Sequence, residues 1–459
     1  MSSETVVKQG FLVKQGGSIK TWKKRWSVVK DGALHYSKQQ GGQVLGTMEL
    51  KGSIVKVHSD PKRKNCFEIG TETRVYLLMA DSEKDMQDWI SACKSEQQRI
   101  EGRGAAVSEE KKETAASAKP APVEQQKPKD RVAIEDFELL TVIGKGSFGK
   151  VLQVRKKDNS RIYAMKVLNK KNIMERNEVE HAKTEKSVLQ KLVHPFLVNL
   201  HYSFQSPDKL YFIMDYVNGG ELFYHLQKSR KFDEERSRFY CAEICCGIEY
   251  LHENGVLYRD LKPENLLLTG EGHICMTDFG IAKEGLMTDD DRTATFCGTP
   301  EYLAPEVLEG GGYGKGVDWW SFGTLMFEML TGLPPFYSQD VQQMYSKIMT
   351  AKVKYPDHIS DDAKDLLQKL LVRDPEKRLA EPKAIKAHPW FGGIDWEKLE
   401  KKEMTPPFIP PVKDEADVRM VDPEFTSINP ETALDDGEPC EAQPNFDGFT
   451  FVASSELEG

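Results

Sequence analysis

No run in this sequence of 459 residues is apolar for long enough to cross a bilayer. The most apolar region, around Trp319 to Leu330, carries Ser321 and Glu328 and falls short of the roughly 20 residues a spanning helix needs. The N-terminal residues lack the apolar core of a secretory signal. Eight cysteines show no metal-ligand spacing, and Cys245-Cys246 lies inside an apolar helical run, which predicts buried thiols. These absences predict an intracellular, cytoplasmic chain with reduced cysteines.

Charge of one sign is nearly missing from the stretches close to both ends. From Thr5 to Lys30 the charged residues are Lys8, Lys14, Lys20, Lys23, Lys24, Arg25 and Lys30, with no acid among them. After Asp414 the only cation is Arg419. The formal net charge of −9, from 63 basic and 72 acidic residues, is therefore unevenly spread, and such asymmetry marks interaction surfaces. The stretch from Glu101 to Arg131 has almost no aromatic or large apolar residue and is rich in Ala, Glu, Lys and Pro. It reads as a disordered linker, taken as 102–131.

Before the linker, short alternating runs such as Gly10-Phe11-Leu12-Val13, Trp26-Ser27-Val28-Val29, Leu45 to Leu50 and Arg74 to Ala80 are separated by turn signals. Many short strands at this spacing predict a small β sandwich or barrel. The piece from Ser82 to Ile100 reads as a closing helix. Met86, Trp89, Ile90 and Cys93 fall on one face, and Ser82 with Asp85 approximates a capping box. After the linker, a block from 137 to 391 is strand-rich first and helix-rich later, and an irregular Pro- and acid-rich tail occupies 392–459.

The densest chemistry lies in Tyr258-Arg-Asp-Leu-Lys-Pro-Glu-Asn265, followed by Asp278-Phe279-Gly280 and Ala304-Pro305-Glu306. Order and spacing match the protein kinase signature set. Asp260 can accept a substrate hydroxyl proton, Lys262 can neutralise charge on the moving phosphoryl group, and Asn265 and Asp278 can ligate Mg²⁺. Such positioned charges and metal ligands carry most of phosphoryl transfer. Upstream, Gly144-Lys145-Gly146-Ser147-Phe148-Gly149-Lys150-Val151 is a Gly-x-Gly-x-x-Gly-x-Val run. Dinucleotide-binding folds share this motif, but there the loop opens a helix and an acid follows about twenty residues on. Here Val151 to Arg155 reads as strand and Asn169 stands at the acid's place. Tyr163 to Lys166 reads as the next strand, ending in a lysine for the α- and β-phosphates. Glu185, in the helical run from Val179 to Leu192, is its natural ion-pair partner, with an exposed helix carboxylate as the alternative.

The N-terminal segment, residues 5–101, resembles a pleckstrin homology domain: seven strands closed by one helix with a central tryptophan. The resemblance implies phosphoinositide binding between the first strands. Lys14, Lys23 and Arg25 fit the family pattern for phosphatidylinositol trisphosphate or the 3,4-bisphosphate, and Tyr36 adds a phosphate hydrogen bond. Convergent cations suit clustered phosphates, with Arg giving bidentate contacts, and the alternative is an ordinary basic face. Ser27-Val28 meets only half of the apolar pair the pattern wants.

The order of lipid-binding domain, linker, kinase and tail resembles the protein kinase B (Akt, or RAC-type) family of the AGC serine/threonine group. The resemblance implies a multidomain chain, its bilobal α+β kinase a non-specific serine/threonine protein kinase using ATP and Mg²⁺. It places Gly144, Lys145, Gly146, Ser147, Phe148, Gly149, Val151, Lys166, Glu185 and Met214 around the nucleotide. Thr295-Phe296-Cys297-Gly298-Thr299-Pro300-Glu301-Tyr302 looks like the AGC activation segment, with Thr295 as phosphosite, and Thr299 is expected to bond Asp260 and Lys262. Phe446-Asp447-Gly448-Phe449-Thr450-Phe451 looks like the hydrophobic motif, with Thr450 as the second phosphosite. Arg259, Lys283 and His181 are the expected cations for a phosphate on Thr295. Phe446 and Phe449 are expected to dock near the Glu185 helix. Arg378 is the implied partner of Glu306, and Asp318 opens the Asp-x-Trp-x-x-Gly helix. Glu221, Glu264 and Glu328 match positions that read basic residues before the phosphoacceptor, or are ordinary carboxylates.

Implied partners are Ser/Thr substrates with N-terminal basic residues, the two phosphoinositides and upstream kinases. A monomer that binds no nucleic acid is expected, recruited to the plasma membrane, with the nucleus as a further compartment. Tyr258 replaces the commoner His, Asn429-Pro430 replaces a turn-motif Thr-Pro, and Val421 replaces an aromatic facing the adenine. A pseudokinase scaffold and a lipid-binding adaptor remain the other function classes, and a radiolabelled ATP assay on a basic peptide separates them.

Overall fold

The computed structural model describes residues 8–15, 22–30, 32–40, 42, 44–51, 53–58, 64–70, 75–106, 132–146, 149–176, 178–288, 291–434, 446, 448–453 and 456. The chain divides into two compact units, 1–125 and 126–459.

In the first unit seven antiparallel strands form one sheet in the order β4-β3-β2-β1-β7-β6-β5. They are β1 (Lys8–Gln15), β2 (Trp22–Lys30), β3 (Ala33–Ser37), β4 (Val44–Glu49), β5 (Ile54–Val57), β6 (Cys66–Gly70) and β7 (Val75–Met79), followed by helix α1 (Glu83–Ala106). Met86, Trp89, Ile90 and Cys93 are all buried, so the face predicted from spacing is the one α1 turns to the sheet. Ser82 Oγ accepts from the Asp85 amide at 3.1 Å, the predicted cap. The helix reaches Ala106, past the start of the stretch read as linker, and 107–131 lie outside the described residues.

Register decides which side chains share a face, because residues directly opposite point the same way. Leu12 faces Arg25, Lys14 faces Lys23, and Ser27 faces Tyr36, which faces Gly46. Leu12, Leu34 and Met48 on this face are buried core. Lys14, Lys23, Arg25 and Tyr36 extend the same face. Ser27 is fully buried and its hydroxyl finds no hydrogen-bond partner among the described residues, so a serine occupies an apolar slot.

The second unit begins with β8 (Phe137–Lys145), β9 (Gly149–Lys156), β10 (Ile162–Asn169), α2 (Lys170–Glu175), α3 (Val179–Lys191), β11 (Leu200–Gln205) and β12 (Lys209–Asp215). A helical lobe follows: α4 (Leu222–Ser229), α5 (Glu234–Glu253), the short strands β13 (Val256–Leu257), β14 (Leu266–Leu268), β15 (Ile274–Met276) and β16 (Lys283–Glu284), then α6 (Pro305–Glu309), α7 (Gly316–Thr331), α8 (Val341–Thr350), α9 (Asp361–Leu370) and α10 (Pro382–Lys386). The tail contributes α11 (Trp396–Glu400), α12 (Pro423–Thr426), α13 (Pro430–Leu434) and β17 (Phe451–Val452). The tail is therefore less irregular than its composition suggests. Its last strand joins the small-lobe sheet, whose order is β17-β11-β12-β10-β9-β8. Phe425 and Ile428 pack on the same lobe's core beside Ile134 and Leu139. Asn429 Oδ1 accepts from the Glu431 amide at 2.9 Å, so its side chain supports the start of α13. Among the described residues no helix is long and apolar enough to cross a membrane.

Candidate active site

The glycine loop bends between β8 and β9. A Cβ on Gly149 would lie 1.7 Å from the Val167 carbonyl oxygen, so only glycine fits where this backbone crosses β10. Gly146, Gly149, Val151, Lys166, Glu185, Asp260 and Asp278 line one cavity of about 450 Å³. Gly144 pairs with Val151 and Lys145 with Lys150 along the strands. Met214 is half-buried near the end of β12 opposite Ala164 and is not in that lining. Ser147 and Phe148 lie outside the described residues.

Lys166 Nζ donates to Glu185 Oε1 at 2.5 Å and to Asp278 Oδ1 at 3.1 Å. Burial opposes the charge on Lys166, but Asp278 and Glu185 outweigh it and hold its pKa above the ordinary lysine value. Lys166 in turn holds the Asp278 carboxyl below its ordinary range, against burial. The ion pair expected of Glu185 is present, and Glu185 is buried on α3 rather than exposed.

Asp260 sits in a three-way grip. Thr299 Oγ1 donates to its Oδ1 at 2.9 Å, and Lys262 Nζ and Asn265 Nδ2 each donate to its Oδ2 at 2.8 Å. Lys262 also donates to Thr299 Oγ1 at 3.0 Å. The backbone before Asp260 is strained, because Arg259 has a φ of +69°. Asp318 holds it in place: its Oδ1 accepts from the Arg259 amide at 2.8 Å, and its Oδ2 from the Tyr258 amide at 2.9 Å and from His252 Nε2 at 2.8 Å. Arg378 forms a bidentate pair with Glu306, at 2.6 and 2.8 Å.

Asn265 spends its amide N–H groups on Asp260, so its oxygen is the atom that could ligate a metal. Asp278 keeps a half-exposed carboxylate. Among the described residues no group of three or more His, Cys, Asp or Glu forms a metal cage. Two hard oxygen donors without a cage fit a Mg²⁺ that takes its remaining ligands from nucleotide phosphates and water.

The three acids expected to read substrate are electrostatically linked. Burial raises the Glu221 pKa first, then Glu264 and Asp422. Burial also raises that of Glu264, and Asp260 and Glu301 add to it. Glu328 is pushed up to about 7 by burial, reinforced by Glu264 and Glu301 against a hydrogen bond from Tyr302. Glu301 and Asp422 were not singled out in the sequence. The first lies within the activation-segment motif, while the second reaches the site only by tail folding. The tail crosses beside β12: Tyr216 Oη donates to the Asp417 carbonyl at 2.8 Å, Asn218 Nδ2 to Asp414 at 2.9 Å, and Gln153 Nε2 to Ala416 at 2.9 Å. Val421 lies in a turn after this crossing, its amide donating to the Val418 carbonyl.

Thr295 and Thr450 are both exposed. Of the cations expected around Thr295, Arg259 is buried and donates to the Ile281 and Ala282 carbonyls and to Tyr313 Oη, which itself donates to the Thr295 carbonyl. Lys283 is exposed on β16, and His181 contacts Glu178. Around Thr450, Phe446 and Phe449 are buried, Phe449 lies edge-on to Phe212 at 5.2 Å, and Lys186 Nζ on α3 donates to the Gly448 carbonyl at 2.9 Å. In the first unit Lys14 Nζ lies over the rings of Tyr36, at 4.7 Å, and Tyr76, at 5.4 Å. Lys23 is exposed, and Arg25, half-buried, donates to the Lys24 carbonyl.

Residues 137–391 match the family model for a protein kinase domain, and residues 6–98 match that for a PH domain. The chain is similar to the RAC family serine/threonine-protein kinase homolog of Dictyostelium discoideum, 56% identical over 461 residues that span 99% of each chain. It is similar to RAC-beta serine/threonine-protein kinase A of Xenopus laevis, 39% identical over 487 residues and again 99% of each. Protein kinase 2 of Dictyostelium discoideum is 54% identical over 338 residues, 72% of this chain and 70% of that protein.

Proposed function

The chain belongs to the RAC family of serine/threonine-protein kinases, and from that premise we propose that it transfers the γ-phosphoryl group of ATP to Ser or Thr in arginine-rich sequences. The observation that carries this reading is the pair of grips described above: Lys166 between Glu185 and Asp278, and Asp260 between Thr299, Lys262 and Asn265. Lys166 orients the α- and β-phosphates. Asn265 and Asp278 would hold Mg²⁺, which when bound would neutralise charge on the phosphates. Asp260 orients the acceptor hydroxyl and takes its proton, and Lys262 offsets charge on the transferred group. Glu221, Glu264 and Glu328, joined by Glu301 and Asp422, select cationic peptides by charge complementarity.

The inner-face cations Lys14, Lys23 and Arg25, with Tyr36, bind a 3-phosphorylated inositol headgroup and recruit the chain to membranes. Phosphorylation of Thr295 and Thr450 switches the kinase on. The test is transfer of labelled phosphate from ATP to a peptide with arginines before a single serine, with and without Mg²⁺. Transfer is expected to need Mg²⁺ and to fall when the arginines are replaced. A preference for acidic or proline-directed peptides overturns the substrate reading.

A further inference from the structure

Strand β17 has two residues, too few ladder bonds to hold it on the edge of a sheet by itself. It pairs with β11, Val452 opposite Tyr202 and Phe451 opposite Ser203, and the Ala453 amide extends the ladder to the His201 carbonyl at 2.8 Å. Phe446 and Phe449 pin one end of it. The other end is pinned by a residue beyond the aromatic motif. Glu456 turns back, its amide donating to the Ala453 carbonyl at 3.0 Å, and buries its carboxylate with 8% of the side chain exposed.

Four donors meet that carboxylate. His201 Nδ1 donates to Oε1 at 2.7 Å and Arg161 Nη1 to the same oxygen at 3.2 Å. Tyr202 Oη donates to Oε2 at 2.7 Å and Tyr163 Oη at 3.4 Å. His201 continues on its other nitrogen to Asp215 Oδ1 at 2.7 Å, and Asp215 Oδ2 accepts from Asn199 Nδ2 at 2.8 Å. The receiving side chains come from β10 and β11 and from the turn before β10. Burial disfavours a charge here, yet Tyr202, His201 and Arg161 hold the Glu456 carboxyl below its ordinary range.

We propose that Arg161, Tyr163, His201 and Tyr202 form a carboxylate-binding site whose occupant is Glu456 of the same chain, and that this lock seats the tail strand and so positions α3. The route to α3 is direct. Lys186, next to Glu185, donates to the Gly448 carbonyl and lies over the Phe451 ring at 5.9 Å. A seated tail thereby holds the helix that carries the partner of Lys166. Glu456 is a positioning residue, because it lies outside the lining of the cavity that holds Lys166, Asp260 and Asp278. A surface ion pair would contribute little, whereas one nearly out of water is costly to break.

The catalytic half of this inference rests on the kinase reading, and the lock itself does not. The test uses the full chain with Glu456→Gln, Tyr202→Phe and both together. Amide exchange of 449–453 is expected to quicken by about tenfold or more in Glu456→Gln, the loss of a charged hydrogen bond. The double variant is expected to exchange no faster than Glu456→Gln alone, since both remove the same contact. In the same proteins kcat is expected to fall while the KM for a basic peptide stays unchanged, because Glu221, Glu264, Glu301 and Glu328 belong to the helical lobe. Exchange at the parent rate, or additive effects of the two substitutions, overturns the lock. Faster exchange with unchanged kcat overturns the positioning of α3. Faster exchange in a chain that transfers no phosphate to any peptide keeps the lock and rejects the kinase reading.

Discussion

The base role proposed for Asp260 rests on what holds it. Thr299, Lys262 and Asn265 fix both carboxylate oxygens, so the group is pre-aimed instead of searching rotamers. Asp260→Asn keeps the volume and most donors' partners but cannot take a proton, and kcat is expected to fall by roughly 10²–10⁴-fold. A steady-state assay on phosphorylated protein checks this, and parental activity would remove Asp260 from its role. Glu328 gives a pH signature. Its pKa, lifted to about 7 by burial and by Glu264 and Glu301, leaves it partly neutral near neutrality. A carboxyl raised in this way contributes stability below its unfolded pKa and loses it as pH rises through 7. Its ability to pair with a substrate arginine grows over the same interval. The kcat/KM for an arginine-rich peptide is therefore expected to rise between about pH 6 and 8, and Glu328→Gln to flatten that limb. An unchanged profile in the variant would assign the limb to another group.

At the scale of elements, the catalytic loop and the tail strand are each held by something distant in sequence. The left-handed backbone at Arg259 costs about 1–3 kcal/mol for a non-glycine residue, and it persists because Asp318 on α7 binds the two amides around it. The tail strand persists because its aromatic pair is buried. Phe449→Ala would empty a site that is 3% exposed and faces Phe212, a cost of about 3–5 kcal/mol where the surroundings cannot collapse. A two-residue strand cannot absorb that. Hydrogen exchange over β11 and β17 is expected to lose protection, with a parallel fall in kcat as Lys186 loses the Gly448 carbonyl. Intact protection in Phe449→Ala would show that the aromatic contact does not hold the strand.

At the scale of the whole molecule, a PH domain and a protein kinase domain are matched by two family models, and the chemistries proposed for them are lipid capture and phosphoryl transfer. Arg25 shares the inner face with Lys14 and Lys23, and its guanidinium can bind a phosphate bidentately. Arg25→Cys is expected to abolish sedimentation with vesicles containing phosphatidylinositol trisphosphate, and parental binding is expected to weaken with salt as screening shortens the reach of the cations. Equal binding to neutral vesicles would refute the headgroup reading. Within the kinase unit, phosphates at Thr295 and Thr450 are proposed to bias the same helix α3 from two sides. The Thr295→Ala and Thr450→Ala double-mutant cycle on specific activity is expected to be non-additive. Strict additivity, or full activity of Thr295→Ala, would mean that no shared element couples the sites.

Local rules made the kinase loops, the glycine run and the amphipathic face of α1 legible in the sequence, whereas Lys14, Lys23 and Arg25 were picked out by family resemblance. A motif of eight neighbouring residues folds largely as a unit, and period and spacing decide which side chains share a face. Arg378 with Glu306, Lys166 with Glu185, and Thr299 with Asp260 were also legible, through family resemblance. Nothing local marked β17, because a two-residue strand exists only where another sheet offers an open edge and a groove for two aromatic rings. Nothing local marked Glu456, one acid in a tail of acids, until His201, Tyr202, Tyr163 and Arg161 closed on it. The same holds for Asp422 joining Glu221, for Asn429 supporting α13, and for Ser27 entering an apolar slot. The sequence by itself determined which chemistry this chain carries, since that chemistry resides in residue types at short fixed spacings. Only the tertiary structure decided how the tail is seated and which acids share a field, since those depend on distant segments meeting in the fold, Tyr202 with Glu456 and Glu221 with Asp422 being more than two hundred residues apart.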